Sequence, residues 1–197
     1  GFVRPDFHDW PAEVQALIDT EKPAAVVVML GSNDRQQMTV GEVREQSMTD
    51  PWLKEYGVRS EAFGTAVRSK GVPLLWVGMP AFKSKKMTSD MLALNDAYRA
   101  AALATSGEFV DIWDGFVDEA GAYVQTGPDI NGQPVRLRAG DGINMTRPGK
   151  RKVAFYLEKP LAKLLGTAAG SGTRAAPQFL GAGVKPVDPL TIDRTVP

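Results

Sequence analysis

Two short polar segments hold side chains able to polarise a carbonyl or orient a proton acceptor. Gly31-Ser32-Asn33-Asp34 follows a continuous apolar run from Ala24 to Leu30, and the carboxyl ends of strands are where α/β folds keep their chemistry. Asp141-Gly142-Ile143-Asn144-Met145-Thr146 precedes a stretch of helical periodicity. The first segment offers a hydroxyl, a carboxamide and a carboxylate; the second places a carboxylate three residues ahead of a carboxamide. A carboxamide accepts no proton near neutral pH, so Asn144 is excluded as a general base. Asp-Gly before a capped helix is by itself ordinary turn chemistry. Its pairing with the Gly31–Asp34 loop raises it above that.

Other reactive types have bland readings. His8 is the only histidine, and its place just before the first helix reads as a surface residue near a helix N-terminus. Ser32 and Ser84 have no base nearby in sequence and read as loop residues. Lys83, Lys85 and Lys86 either meet an anionic ligand or form a solvated loop, the second being favoured. Arg136 and Arg138 either face a cleft or pair with carboxylates such as Asp129. Trp76 and Trp113 fall in strands and are expected in the core. Asp111, Asp114, Asp118 and Glu119 lack calcium-loop spacing, so no metal site is expected.

The 197 residues suit one α/β domain with a proper core. Lys plus Arg and Asp plus Glu both number 23, a formal net charge of zero, which argues against a nucleic-acid binder. With no cysteine, disulfides and thiolate metal sites are excluded. No apolar run reaches membrane-spanning length. The chain starts at Gly1 rather than Met, so the lack of a visible leader carries no weight.

The elements that must position these residues alternate. Asp9-Trp10-Pro11 opens a helix ending at Lys22-Pro23. The run 24–30 reads as a strand buried on both faces, and is the most interior by composition. Asp50-Pro51 opens a helix to about Lys70, Pro73 to Met79 forms a strand, and Ser89 caps a helix to about Thr105. Glu108 to Trp113 is a third strand. Short extended pieces follow around Tyr123-Val124 and Val135–Leu137. Thr146 and Pro148 open a last helix, with Val153, Ala154, Leu157, Leu161 and Leu164 on one face. This order predicts a three-layer α/β/α sandwich with a mostly parallel sheet. Residues 1–166 form the domain, and 167–197, rich in Gly, Ala, Thr and Pro, a flexible tail or linker. The open edge of the strand at 24–30 calls for a partner earlier than Gly1, so the first strands of the sheet are expected to be missing from this chain.

The Gly-Ser-Asn-Asp loop, the VGMP segment, the Phe109–Phe116 stretch and the Asp141 block, in that order, resemble the SGNH (GDSL-type) hydrolases. They are most similar to a bacterial, envelope-associated branch of that superfamily. The likeness runs from about Gly1 to Leu165. It implies a flavodoxin-like sheet and a serine nucleophile from an upstream GDS block, which has no counterpart here. It also implies Asn33 and, at the second-block position, Gly1 as oxyanion donors, with Asp141 as the orienting carboxylate. Each such donor is worth roughly 2.7–4 kcal/mol in the transition state. Asn144 stands where the family has its histidine. The resemblance implies no cofactor, and as ligand a small ester or acylated carbohydrate, such as an O-acetylated envelope glycan handled outside the cytoplasm. Two functions follow: an ester hydrolase or acyltransferase, or an inactive relative that binds a glycan or acyl group. The sequence sets no oligomeric state.

Overall fold

A computed structural model of the chain describes residues 1–166; the tail expected over 167–197 lies outside the described residues. α1 (Trp10–Glu21) starts where the Asp9 carboxylate accepts the Ala12 N–H at 3.2 Å, and it ends on Lys22 in the left-handed conformation. β1 (Val26–Val28) is followed by a hairpin, β2 (Met38–Val40) with β3 (Val43–Glu45), that crosses the two-residue turn Gly41-Glu42. α2 (Asp50–Arg68), β4 (Leu74–Val77), α3 (Lys85–Ala104) and β5 (Glu108–Val110) come next. A 3₁₀ turn (Trp113–Phe116), a second hairpin of β6 (Thr126–Pro128) with β7 (Pro134–Arg136), and α4 (Arg147–Gly166) complete the described chain.

The sheet is parallel, ordered β1-β4-β5, with Val27 opposite Leu75 and Trp76 opposite Phe109. All four β4 residues are buried, and they alternate between two cores. Leu74 and Trp76 pack with α1, α2 and α3, whereas Leu75 and Val77 pack with Val110, Ile112, Val153 and Leu157 beneath α4. This alternation makes the expected three-layer α/β/α sandwich. Four fully buried rings anchor the larger core: Trp52 stacks on Tyr56 at 4.9 Å and Trp76 on Tyr98 at 5.2 Å. Burying an aromatic side chain of this size is worth about 1.5–3 kcal/mol.

Several local expectations need correction. The central strand is β4, paired on both edges. β1 is only half-buried and carries no strand on its outer edge among the described residues, despite its apolar composition. Ser84, not Ser89, caps α3: its hydroxyl accepts the Met87 N–H at 3.3 Å, so the helix begins at Lys85 and buries Met87 and Met91. The third strand ends at Val110, because the Asp111 carboxylate accepts the Trp113 N–H at 2.9 Å and turns the chain into the 3₁₀ segment. Trp113 therefore lies outside a strand and is only partly buried, packed against the core. Tyr123 makes a single bridge to Val117, and the strand expected near it forms at 126–128.

Candidate functional site

The Gly31–Asp34 loop leaves the carboxyl end of β1 and is held from below by a buried polar chain. Asp34, 3 % exposed, accepts the Tyr56 hydroxyl at 2.7 Å and the Phe2 backbone N–H at 2.8 Å. Since Tyr56 spends its one proton on Asp34, the Tyr98 hydroxyl at 2.8 Å donates to Tyr56. Burial pushes both phenols well above their ordinary range, helped at Tyr56 by the neighbouring Tyr98 and Asp34. They stay protonated and act as fixed donors. Gly31, at φ +135°, presses its Cα against the Tyr98 hydroxyl: an added Cβ would lie 2.3 Å from that oxygen.

This chain brings residues 1–3 beside the loop. The Gly1 nitrogen lies 3.9 Å from the Asp34 carboxylate. Asn33 is exposed on the same loop; its carbonyl accepts from Gln36 at 3.0 Å, and its carboxamide has no protein partner among the described residues. Gly1 and Asn33 thus sit on adjoining segments.

The second segment closes on itself. Asp141 Oδ1 accepts the N–H groups of Ile143 (2.8 Å) and Asn144 (2.9 Å), while Oδ2 accepts the Asn144 carboxamide Nδ2 at 2.6 Å. The Ile143 N–H, then the Asn144 N–H and carboxamide, hold Asp141 below the usual carboxylate range. An ionised carboxylate only accepts, so Asn144 presents its NH₂ to Asp141 and keeps its amide oxygen for a ligand.

Arg138 and Lys83 fasten this block to the loop after β4. Arg138 is fully buried and donates to the Ala81 carbonyl and, at 2.9 Å, to the Ile143 carbonyl. Its guanidinium lies 5.1 Å from the Phe82 ring centre and 5.2 Å from that of Tyr123. The Lys83 N–H donates to the Gly142 carbonyl at 3.2 Å, and its stem fills the space that a Cβ on Gly142 would need. On the same loop, Met79 exchanges bonds with the Asn95 carboxamide at 2.7 and 2.8 Å. Met79 also lies 3.5 Å from where a Cβ on Gly31 would sit, so the β4–α3 loop borders both the Gly31 side and the Asp141 side.

The remaining candidates fall away from this centre or act as structure. His8 stacks on Trp10 and contacts Glu13 at 3.0 Å, beside α1. Ser84 is a cap. Lys86 reaches toward Asp90 at 3.4 Å, and Lys83 and Lys85 are exposed. Arg138 neither faces a cleft nor pairs with Asp129, and Arg136 donates to the Arg138 carbonyl at 3.2 Å. Asp129 and Asp118 each accept two backbone N–H groups of their own turns. Asp111 bonds Trp113 and contacts Arg99 at 3.4 Å. Among the described residues no three or more His, Cys, Asp or Glu side chains gather as a metal site, and no helix is long and apolar enough to cross a membrane. The Asp34–Tyr56–Tyr98 chain was not legible in the sequence, since its members lie 22 and 42 residues apart. Only the burial-prone faces of α2 and α3 hint at it.

A three-stranded parallel sheet between two helical layers defines an α/β/α sandwich domain, with the Gly31–Asp34 loop leaving the carboxyl end of β1 and the Lys83-bearing loop that of β4. The solved structure described as "Crystal Structure of TesA" is similar, with a TM-score of 0.54 and 20% identity over 79% of this chain and 71% of that one. Identity that low carries the fold and not the reaction. Residues 1–160 match the family described as "Protein of unknown function (DUF459)", and the chain belongs to that family. No curated protein matches it.

Proposed function

We propose that the domain binds an ester or an acylated carbohydrate, such as an O-acetylated envelope glycan, at the rim shared by Asn33, Asp141 and Asn144, and that it does so without rapid turnover. The observation that carries this reading is the 2.6 Å bond from the Asn144 carboxamide to Asp141. Where an SGNH hydrolase has its base, this chain holds an amide locked as donor to the carboxylate, with its oxygen free for a sugar hydroxyl. The test is calorimetric titration with an O-acetylated xylo-oligosaccharide and with its deacetylated parent. Preferential binding of the acetylated form without acetate release is expected, with Asn33→Ala and Asn144→Ala each weakening it about tenfold, the worth of one hydrogen bond. Equal binding of the two sugars, or none, would sink the proposal.

A second reading, slow hydrolysis by a serine supplied from a GDS-type block, draws on the Asn33 carboxamide, which has no partner among the described residues, and on the fixed, ionised Asp141. It predicts fluorophosphonate labelling of the full-length protein. In the Asn144→His variant, acetyl-ester hydrolysis should then rise on the order of 10²–10⁴-fold, the usual worth of a positioned general base. Unlabelled protein with no gain in the variant leaves the binding reading alone.

A further inference from the structure

Beside the Asn33 loop lies a cleft of about 560 Å³, walled by the segment after Phe2 on one side and the β2–β3 hairpin on the other. It adjoins the candidate site on both walls. Gln36, in its lining, donates to the Asn33 carbonyl, and the Phe2 N–H that starts the opposite wall is bonded to Asp34. The cleft is also braced. Arg59 donates to the Phe2 carbonyl at 3.0 Å and the Val3 carbonyl at 3.3 Å on one wall, and to the Thr39 carbonyl at 3.2 Å on the other.

Three guanidiniums line this space, and two are neutralised. Arg4 pairs with Asp6 at 2.6 Å, and Arg59 with Glu55 at 2.8 Å. Arg44 is different. Its Nε donates to the neutral Gln37 carboxamide at 2.9 Å, and its two terminal nitrogens have no partner among the described residues. Gln37 thus fixes the fork while leaving its charge uncompensated, the arrangement that suits an oxyanion presenting two acceptor oxygens. We propose that this cleft is an anion subsite. It takes a carboxylate or phosphate substituent of the carbohydrate chain whose acyl group reaches Asn33, and so rests on the binding function above for its carbohydrate scaffold.

The test uses probes that carry no ester, so that it reads the cleft independently of the acyl centre. The chain is titrated with a galacturonate trimer, with glucose 1-phosphate and with the neutral galactose trimer. At least one acidic probe is expected to bind about tenfold or more tighter than the neutral sugar, as one charge-assisted bond provides, and to weaken as sodium chloride is raised. Preference for the trimer identifies a carboxylate as the natural group, and preference for the sugar phosphate a phosphate. Arg44→Gln should abolish the preference with the melting temperature unchanged, because among the described residues the side chain bonds only Gln37. Equal affinity for acidic and neutral probes, or an unaltered preference in Arg44→Gln, overturns the subsite. Loss of acetyl-sugar discrimination with the acid preference intact would instead overturn the acyl reading and leave the cleft standing.

Discussion

The two halves of the candidate site are built in opposite ways. The Gly31–Asp34 loop rests on buried groups: a carboxylate 3 % exposed, two phenols of zero exposure, and stacked indoles behind them. The Asp141 block is exposed and bonds mostly to itself, with one buried cation, Arg138, tying it to the neighbouring loop. Buried polar networks in low dielectric are costly to break and hold a single geometry. Exposed turns exchange the same bonds with water at little cost. Asn33 therefore stands on a rigid platform, while the Asp141–Asn144 pair is held chiefly by local turn geometry. Changes on the first side should cost the fold more, and changes on the second should fall more heavily on the site itself.

The sharpest break of this contrast is Gly31→Ala. The new Cβ would meet the Tyr98 hydroxyl at 2.3 Å, on backbone at φ +135° where side chains are strained. Strain of order 1–3 kcal/mol adds to overpacking of similar size, so a loss of about 4 kcal/mol in denaturant unfolding is expected. A loss below about 1 kcal/mol would mean that the Tyr98–Tyr56–Asp34 chain is not rigid.

Arg138→Met comes next. It leaves the Ala81 and Ile143 carbonyls without their buried donor while keeping much of the side-chain volume. A loss of about 2–3 kcal/mol follows from the removed charge-assisted bonds, measured by the same unfolding. Greater proteolytic sensitivity near 139–145 should accompany it, with the Gly31 loop protected.

Gly142→Ala is expected to cost about 1–2 kcal/mol. Its φ of +69° is left-handed, and the atom in the way is the Lys83 Cβ at 2.4 Å, on an exposed residue at the end of its loop rather than a ring sealed in the core. Acetyl-sugar affinity should fall more than this stability loss would suggest, because moving Lys83 displaces the wall beside Asn144. If Gly142→Ala proves as damaging to the fold as Gly31→Ala, the asymmetry between the two halves is wrong.

The same asymmetry governs what the sequence discloses. β4 reads directly, because an all-apolar run is what a strand covered on both faces requires. The Asp141 block also reads directly, since its bonds span only two or three residues and turn chemistry is local. Ser84 and Ser89 are both cap-forming types, and only the burial of Met87 and Met91 decides between them. The β2–β3 hairpin lies in a polar stretch without strand-length apolar alternation, and only its Val-Gly-Glu-Val turn, with glycine at the first central position, carries a hairpin pattern. Composition misplaced β1, because hydrophobicity does not report pairing on both edges. Arg138 was open between cleft and ion pair and is neither: a guanidinium sealed against backbone carbonyls needs contacts from residues 57 positions away.

The smallest effect expected is electrostatic and confined to the exposed half. Asp141 is held below the ordinary carboxylate range, first by the Ile143 N–H and then by the Asn144 N–H and carboxamide. Its charged form is thus favoured by folding. The stabilisation is fully present above the unfolded value, about 3.9, and is lost as pH falls through the lower folded value, where native and unfolded chains bind the same proton. A carbon-detected titration of the Asp141 carboxyl should give a midpoint below that of an unfolded aspartate. In Asn144→Ala the midpoint should rise only part of the way, because both backbone donors remain. A rise all the way to the unfolded value would assign the shift to the carboxamide rather than the turn. The Asp141 block would then depend on the residue at 144 for its geometry, and a histidine placed there could not be assumed to inherit a preformed partner.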